Sequence, residues 1–334
     1  MRSTWLALAL LVIAGCGSED AASVDDSVRW RRVFDQLPGA LISVSGTSEK
    51  DVWTVGGDPG TGATVLHFDG AQWRALDTGM NVDLWWVHPF AGGPVFFGGS
   101  QGTILRWQGG SFEKMTTPSD ATVFGIWGTS PDDLWAVGGV PAEPGKAFVW
   151  RWDGSTWSVA SGLPKPKVAS YFKVWGRSAD DVRIVGMDGA ILEWDGASFS
   201  EAASPTTTRL LTLYAEPEGY WVAVGGLSNA VVLEDHGSGW QDVSPSGLVK
   251  ASIGVRLAGE DGYAVGNGGS VLRRVDGTWQ PEDTGIQVYG DFHATWIDPK
   301  GGVWAVGGDL LSSPLVHGVM LHKGPPVSAS IEGQ

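Results

Sequence analysis

Short apolar runs of four to six residues, separated by Gly, Asp, Ser and Pro, recur along most of this chain. The clearest set lies in residues 123–160: VFGIWGTSPDDLWAVGG, a variable insert, then AFVWRWDGSTWSVA. It predicts four strands, a over 123–127, b over 134–137, c over 148–152 and d over 156–160. They are rich in Val, Trp and Phe, which suit a half-buried pleated surface. Asp153-Gly154 between c and d suits a tight hairpin, because glycine tolerates positive φ. The end of strand b repeats as Val55-Gly56, Phe97-Gly98, Val137-Gly138, Val185-Gly186, Val224-Gly225, Val265-Gly266 and Val306-Gly307. The steps between these glycines are 42, 40, 48, 39, 41 and 41 residues. Seven four-stranded units at this spacing predict an all-β chain, a seven-bladed β-propeller. No amphipathic run long enough for helical repeats is present.

The outer strands fix how the ring closes. They read QWRAL at 72–76, SFEKM at 111–115, TWSVA at 156–160, SFSEA at 198–202, WQDV at 240–243 and TWQPE at 278–282. The last repeat ends HGVMLHKG at 317–324 and has no strand d. Residues 28–33, VRWRRV, match that missing strand, so the N-terminal strand is expected to complete the last blade. One anchor aromatic then serves each blade: Trp30, Trp73, Phe112, Trp157, Phe199, Trp240 and Trp279. This closure removes a free sheet edge. The propeller is expected over 28–324, with 325–334 as a short tail.

The polar and apolar balance of the first residues differs. After Met1-Arg2 comes an apolar run, Trp5 to Ala14, too short to be read as a membrane span. It ends Ile13-Ala14-Gly15-Cys16, which resembles the lipobox of bacterial lipoproteins. The resemblance implies that 1–15 is a signal peptide and that Cys16 becomes the lipid-bearing N-terminus. More than one acyl chain gives stable anchoring. Cys16 is the sole cysteine, so no disulfide framework competes for it. Residues 16–27 then form a flexible acidic tether. Gly17 rather than Asp follows the cysteine, which implies the outer membrane in a cell with two membranes. The expected setting is the cell envelope, with the membrane as a partner through Cys16.

Composition narrows the partners. Asp and Glu number 37 against 22 Lys and Arg, a formal charge of −15, which opposes nucleic acid. The 19 tryptophans fall mostly at repeat positions and are expected to fill the layers between blades. On strand c the residue before the hairpin aromatic is polar in every blade (His67, Arg106, Arg151, Glu193, Glu234, Arg273 and His322), which alternation predicts to be solvent-exposed.

In a propeller the a–b and c–d turns share one face, and the d–a and b–c connections share the other. The a–b turns here are regular, as in TSEKD at 47–51, TSPDD at 129–133 and RSADD at 177–181. Their acids are expected to bond local backbone. Variation concentrates on the other face, in the b–c loops of blades 1, 3 and 7 and in the connection at 162–167. Departure from a repeat marks where something besides folding is specified. The candidate partner-binding residues are therefore Asp58, Lys146, Lys165, Lys167, Asp309 and His317. His88 and His293 lie on inner strands and are expected to point into the channel, without a third ligand, so no metal is expected. No phosphate-binding or calcium-binding loop is present, and no cofactor is expected.

The pieces W-G-T-S-x-x-D-[LV]-W-A-V-G and W-D-G-x-x-W resemble the tandem repeats of exported bacterial β-propeller proteins. Kelch-like, Asp-box (sialidase-like) and photosystem-assembly-factor-like propellers are similar in style. The Asp-box resemblance is incomplete, since D-G-x-x-W is one residue short between Asp and Gly. The five tyrosines, Tyr171, Tyr214, Tyr220, Tyr263 and Tyr289, lack the Arg and Glu company that a sialidase site implies. A kelch-type copper radical oxidase implies a cysteine that this domain lacks. The sequence thus favours a lipid-anchored, non-catalytic scaffold that binds a protein through its long-loop face. The alternative is a glycan-binding or glycoside-acting propeller, which a convergent pair of acids with a raised pKa in the channel mouth would favour.

Overall fold

The computed structural model describes residues 29–333. Cys16 and the signal and tether segments lie outside the described residues. Seven antiparallel sheets form the blades of a propeller. The inner strands a are Leu41–Ser48, Leu84–Pro89, Thr122–Ser130, Tyr171–Ser178, Leu210–Tyr214, Ser252–Ala258 and Asp291–Ile297. Blade 7 is closed from the front of the chain: Trp30–Gly39 pairs antiparallel with Val316–Lys323. That closing strand extends six residues past the predicted one. No helix among the described residues is long and apolar enough to cross a membrane.

The repeated glycine has a steric cause. A Cβ on Gly56, Gly138, Gly225, Gly266 or Gly307 would lie 1.8–2.0 Å from the carbonyl oxygen of the residue just before its pairing partner on strand a. Only hydrogen fits there. Blade 2 places Gly99, not Gly98, at this position, since Leu84 pairs with Gly99 as Leu41 pairs with Gly56. Each strand a also carries a bulge immediately after its first or second residue. Bulges sharpen local twist, as the crowded centre of a ring requires.

The tryptophans fill the layers between blades. Trp73, Trp150, Trp221 and Trp304 are among the largest fully buried side chains. Six of the seven anchor aromatics are buried, with Phe112 partly so. Truncating one such ring costs about 3–5 kcal/mol.

The polar positions on strand c are not plain surface. His67 stacks on Trp53 at 4.0 Å, the Arg151 guanidinium lies 3.9 Å over Trp135, and His322 lies 4.1 Å from Trp304. Glu234 and His322 are each 3% exposed. Blades pack face to face, so both faces of a sheet are covered. Alternation there selects a blade face, not solvent. The turn acids likewise hold side chains as well as backbone. Asp133 pairs with Arg151, Asp181 with Arg177 at 2.6 Å, and Asp51 accepts from Thr47, Trp53 and His67.

The tail is structured over residues 325–333. Ile331–Glu332 adds a parallel fifth strand beside Trp73–Ala75 on blade 1. The Trp73 amide donates to the Ser330 carbonyl at 3.0 Å, and its indole N–H donates to the Ser328 carbonyl at 3.0 Å. Val327 and Ile331 pack on the core shared by blades 1 and 7.

Candidate binding faces and the central channel

The seven bulged residues, Ile42, Trp85, Phe124, Phe172, Leu211, Ile253 and His293, share one register position near the loop-face end of strand a. Aromatic edges join four of them across the channel. Phe172 meets Phe124 at 5.4 Å, Phe124 meets Trp85 at 5.4 Å, and Trp85 meets His293 at 5.9 Å. One register step deeper, the Lys173 ammonium sits 3.5 Å over the Trp86 ring and donates to the Phe124 carbonyl at 3.3 Å. Deeper again, Arg256 lies 4.6 Å over Trp175 and 4.7 Å over Tyr214. His88 shares that layer, edge-on to Trp175 at 6.4 Å.

His88 and His293 thus stand in the channel in different layers. Burial pushes both imidazoles down to about 4, helped by the Arg256 charge for His88 and the Lys173 charge for His293. Both are neutral at pH 7. No group of three or more His, Cys, Asp or Glu is placed to hold a metal ion among the described residues.

The loop face divides into two sectors. Asp58 folds its own loop, its carboxylate accepting from the Gly60 and Gly62 amides at 2.7 and 2.8 Å. Lys146 and Lys165 are exposed, and Lys167 is paired with Glu201 at 2.8 Å. The loop of Lys146 is joined to the connection that carries Lys167 by the Gly145 amide, which donates to the Val168 carbonyl at 2.9 Å. Asp309 and His317 stand apart from these, flanking Tyr289 beside blade 7. The six residues therefore form at least two clusters rather than one site.

Sequence reasoning passed over the exposed apolar residues of this face. Leu227 is 64% exposed, Leu248 95%, Tyr289 89% and Leu311 92%. All four lie in b–c or d–a connections of blades 5 to 7. A bridge between Asn229 and Lys250 holds the first two loops side by side. Tyr289 and Leu311 line one open cleft of about 320 Å³ together with Lys250, Gln287, Asp291 and Asp309. Scattered through loops of ordinary polarity, these residues carry no periodic signal.

A larger cleft, about 810 Å³, is on the opposite face. It is lined by the a–b turn of blade 5, where AEPEG replaces the regular turn, and by Arg177, Asp235, His236 and Glu260. Its charges are largely spent on structure. Asp235 accepts from Arg183 at 2.8 Å, Arg177 pairs with Asp181, and Glu216 accepts from the Gly259 amide at 3.0 Å. Burial pushes the Asp235 carboxyl up, but Arg183 and the Gly237 and Gly239 amides more than offset it and hold it below its usual range. Glu234, behind this cleft, is held low in the same way by Arg274, His236 and Trp279.

No protein-family model matches this chain, and no curated protein does. Solved structures do match its fold. YCF48 bound to D1 peptide superposes with a TM-score of 0.66 at 15% identity, over 92% of this chain and all of that one. A streptogramin B lyase gives 0.71 at 12% identity, over 88% and 97%. The WD40 propeller domain of Doa1 gives 0.64 at 14% identity, over 87% and 96%. At these identities the likeness establishes the β-propeller fold.

Proposed function

We propose that this chain is a non-catalytic scaffold that binds a protein or peptide through the loop face of blades 5 to 7. One observation carries the reading: Leu227, Leu248, Tyr289 and Leu311 are set out in water on one face, beside a cleft. Exposed apolar side chains gathered on one face are costly to display unless something covers them. Tyr289 is the natural anchor, an aromatic that buries a large area with a polar tip. Lys250, Asp309 and His317 supply a polar rim. A propeller that binds a peptide, as the YCF48 structure does, supports the reading. So does the state of the shifted carboxyls: Asp51, Asp69, Asp153, Asp195, Glu234 and Asp235 are all held low, the opposite of what a general acid needs. In this reading the scaffold is tethered by lipid on Cys16 to the cell envelope, at the outer membrane where there is one.

The test compares capture from envelope extract by residues 17–334 in three forms. These are the wild type, a Leu248→Ser/Tyr289→Ser/Leu311→Ser variant, and a Lys165→Ala/Lys167→Ala variant. A partner held by the wild type and the lysine variant but lost by the apolar variant supports the reading. Equal capture by all three moves the site elsewhere. Retention of polysaccharide and no protein selects the glycan reading, with Tyr289 as the stacking ring.

A further inference from the structure

The channel contains an electrostatic anomaly that binding at the loop face does not use. Lys173 and Arg256 are each 4% exposed. Neither forms an ion pair with a carboxylate among the described residues. Lys173 donates to one carbonyl, and the Arg256 guanidinium makes one long bond to its neighbour's carbonyl at 3.4 Å. The other groups around them carry no negative charge. Trp86 and His88 face them from blade 2, Trp175 from blade 4, Thr212 and Tyr214 from blade 5, and His293 from blade 7. Burial pushes the Tyr214 phenol up, so it is protonated at neutral pH. His88 and His293 are neutral. The chain as a whole carries a charge of −15, yet its axis holds two basic side chains, and burial together with the Arg256 charge pushes the Lys173 ammonium well down from its ordinary value.

Burying an unpaired charge is expensive. Lysine can respond by losing its proton, but a guanidinium stays charged in proteins. At least one positive charge is therefore fixed in the channel. The aromatic faces of Trp86, Trp175 and Tyr214 offset part of its cost, since each presents a negative quadrupole.

Lys173, Arg256, Thr212 and His293 line one narrow space of about 10 Å³, bounded also by Trp86 and by Ile42, Gly254 and Ala294 of blades 1, 6 and 7. That is room for roughly one water-sized sphere, and a chloride ion, somewhat larger than a water, enters with a small outward shift of the flexible Lys173 and Arg256 side chains. A carboxylate with its carbon chain does not fit, and neither does a phosphate. We infer that the central channel binds a small inorganic anion, a halide, between Lys173 and Arg256. The ammonium, the guanidinium and the Thr212 hydroxyl are the available donors. The anion would tie blades 4, 5 and 6 at the axis, where each blade contributes its narrowest end.

Chloride is the probe, with gluconate as the large anion that the space excludes. Melting of the wild-type chain is followed at constant ionic strength and pH 7 as sodium chloride replaces sodium gluconate. The inference expects a Tm that rises with the logarithm of chloride concentration above Kd, by about 3–8 °C at a hundredfold excess. Lys173→Met and Arg256→Met should each abolish the chloride dependence. Bromide-edge anomalous diffraction of wild-type crystals grown in millimolar bromide needs no variant, and should show one peak between the two side chains. It decides the case if either variant fails to fold. Equal Tm in both salts with no such peak overturns the inference. So does a chloride effect that survives both substitutions, or a bromide peak found only at the surface.

Discussion

Several side chains of this propeller are held neutral or charged by where they sit, and pH reads that out. Burial pushes His88 and His322 down to about 4, against an ordinary value of 6.5. For His322, burial comes first, and the Asp298 carboxylate 4.0 Å away only partly opposes it. As pH falls below 6.5, the unfolded chain binds protons that the folded one does not. Stability contributed by these two neutral imidazoles is therefore complete above pH 6.5. It declines between 6.5 and 4 and levels off below. Each contributes about 3 kcal/mol across that window. Urea midpoints measured from pH 7.5 to 3.5 should fall over this range, and His322→Gln should flatten the fall. A midpoint unchanged down to pH 4 would refute the assignment. At this scale the sequence was half legible. The repeat aligned His322 and Glu234 with surface-facing positions, because alternation along a strand reports only which way a side chain points. Glu234 in fact accepts from Arg274 Nε and Trp279 Nε1 at 2.8 Å each and from His236 at 2.9 Å. His236 is local, in the turn two residues on, but Arg274 and Trp279 come from the next blade, contacts that no local pattern encodes.

Strands and turns were the most legible level. Each strand b ends at a glycine because a methyl group there would collide with a carbonyl, and that steric demand writes itself into the sequence every forty or so residues. The outer strands were legible through their anchor aromatics. The bulge on each inner strand was not, because it changes pairing without changing residue type. The strand Ile331–Glu332 was also missed. It is two residues long, and it exists because Trp73 offers an edge to pair with, not because Ile-Glu favours extension. Removing residues 325–334 tests what that strand contributes. It deletes two bonds to Trp73 and the packing of Val327 and Ile331 on the core. The expected loss is about 2–4 kcal/mol, with far-UV circular dichroism unchanged. An unaltered urea midpoint would mean that the segment merely lies on the surface.

The whole ring depends on one seam. Five blades are built from consecutive chain alone and blade 1 only adds the short Ile331–Glu332 at its outer edge, but blade 7 joins the two ends of the ring: Trp30 pairs with Lys323 and Gly39 with Val316. The seam is locked at its rim, where the Trp30 indole donates to Glu282 at 2.5 Å and Lys323 donates to the same carboxylate at 2.8 Å. Trp30 also meets Tyr263 edge-on at 6.1 Å, so blade 6 is clamped as well. Inside the seam, Val33 and Phe34 reach the core shared with blade 1. A closed ring has no terminal blade from which to fray, so the intact chain should unfold in one step. Deleting residues 29–39 leaves Val316–Lys323 as an open edge and uncovers Tyr263. Blades 6 and 7 then become the weak end of an open array, in which each blade is held only by its neighbours. In wild type, tryptophan fluorescence and far-UV dichroism should report coincident urea transitions. In the deletion they should separate, with fluorescence changing first, and the exposed edge should promote association at high protein concentration. Coincident transitions in the deletion would show that packing between blades, not closure of the seam, sets the cooperativity of the ring.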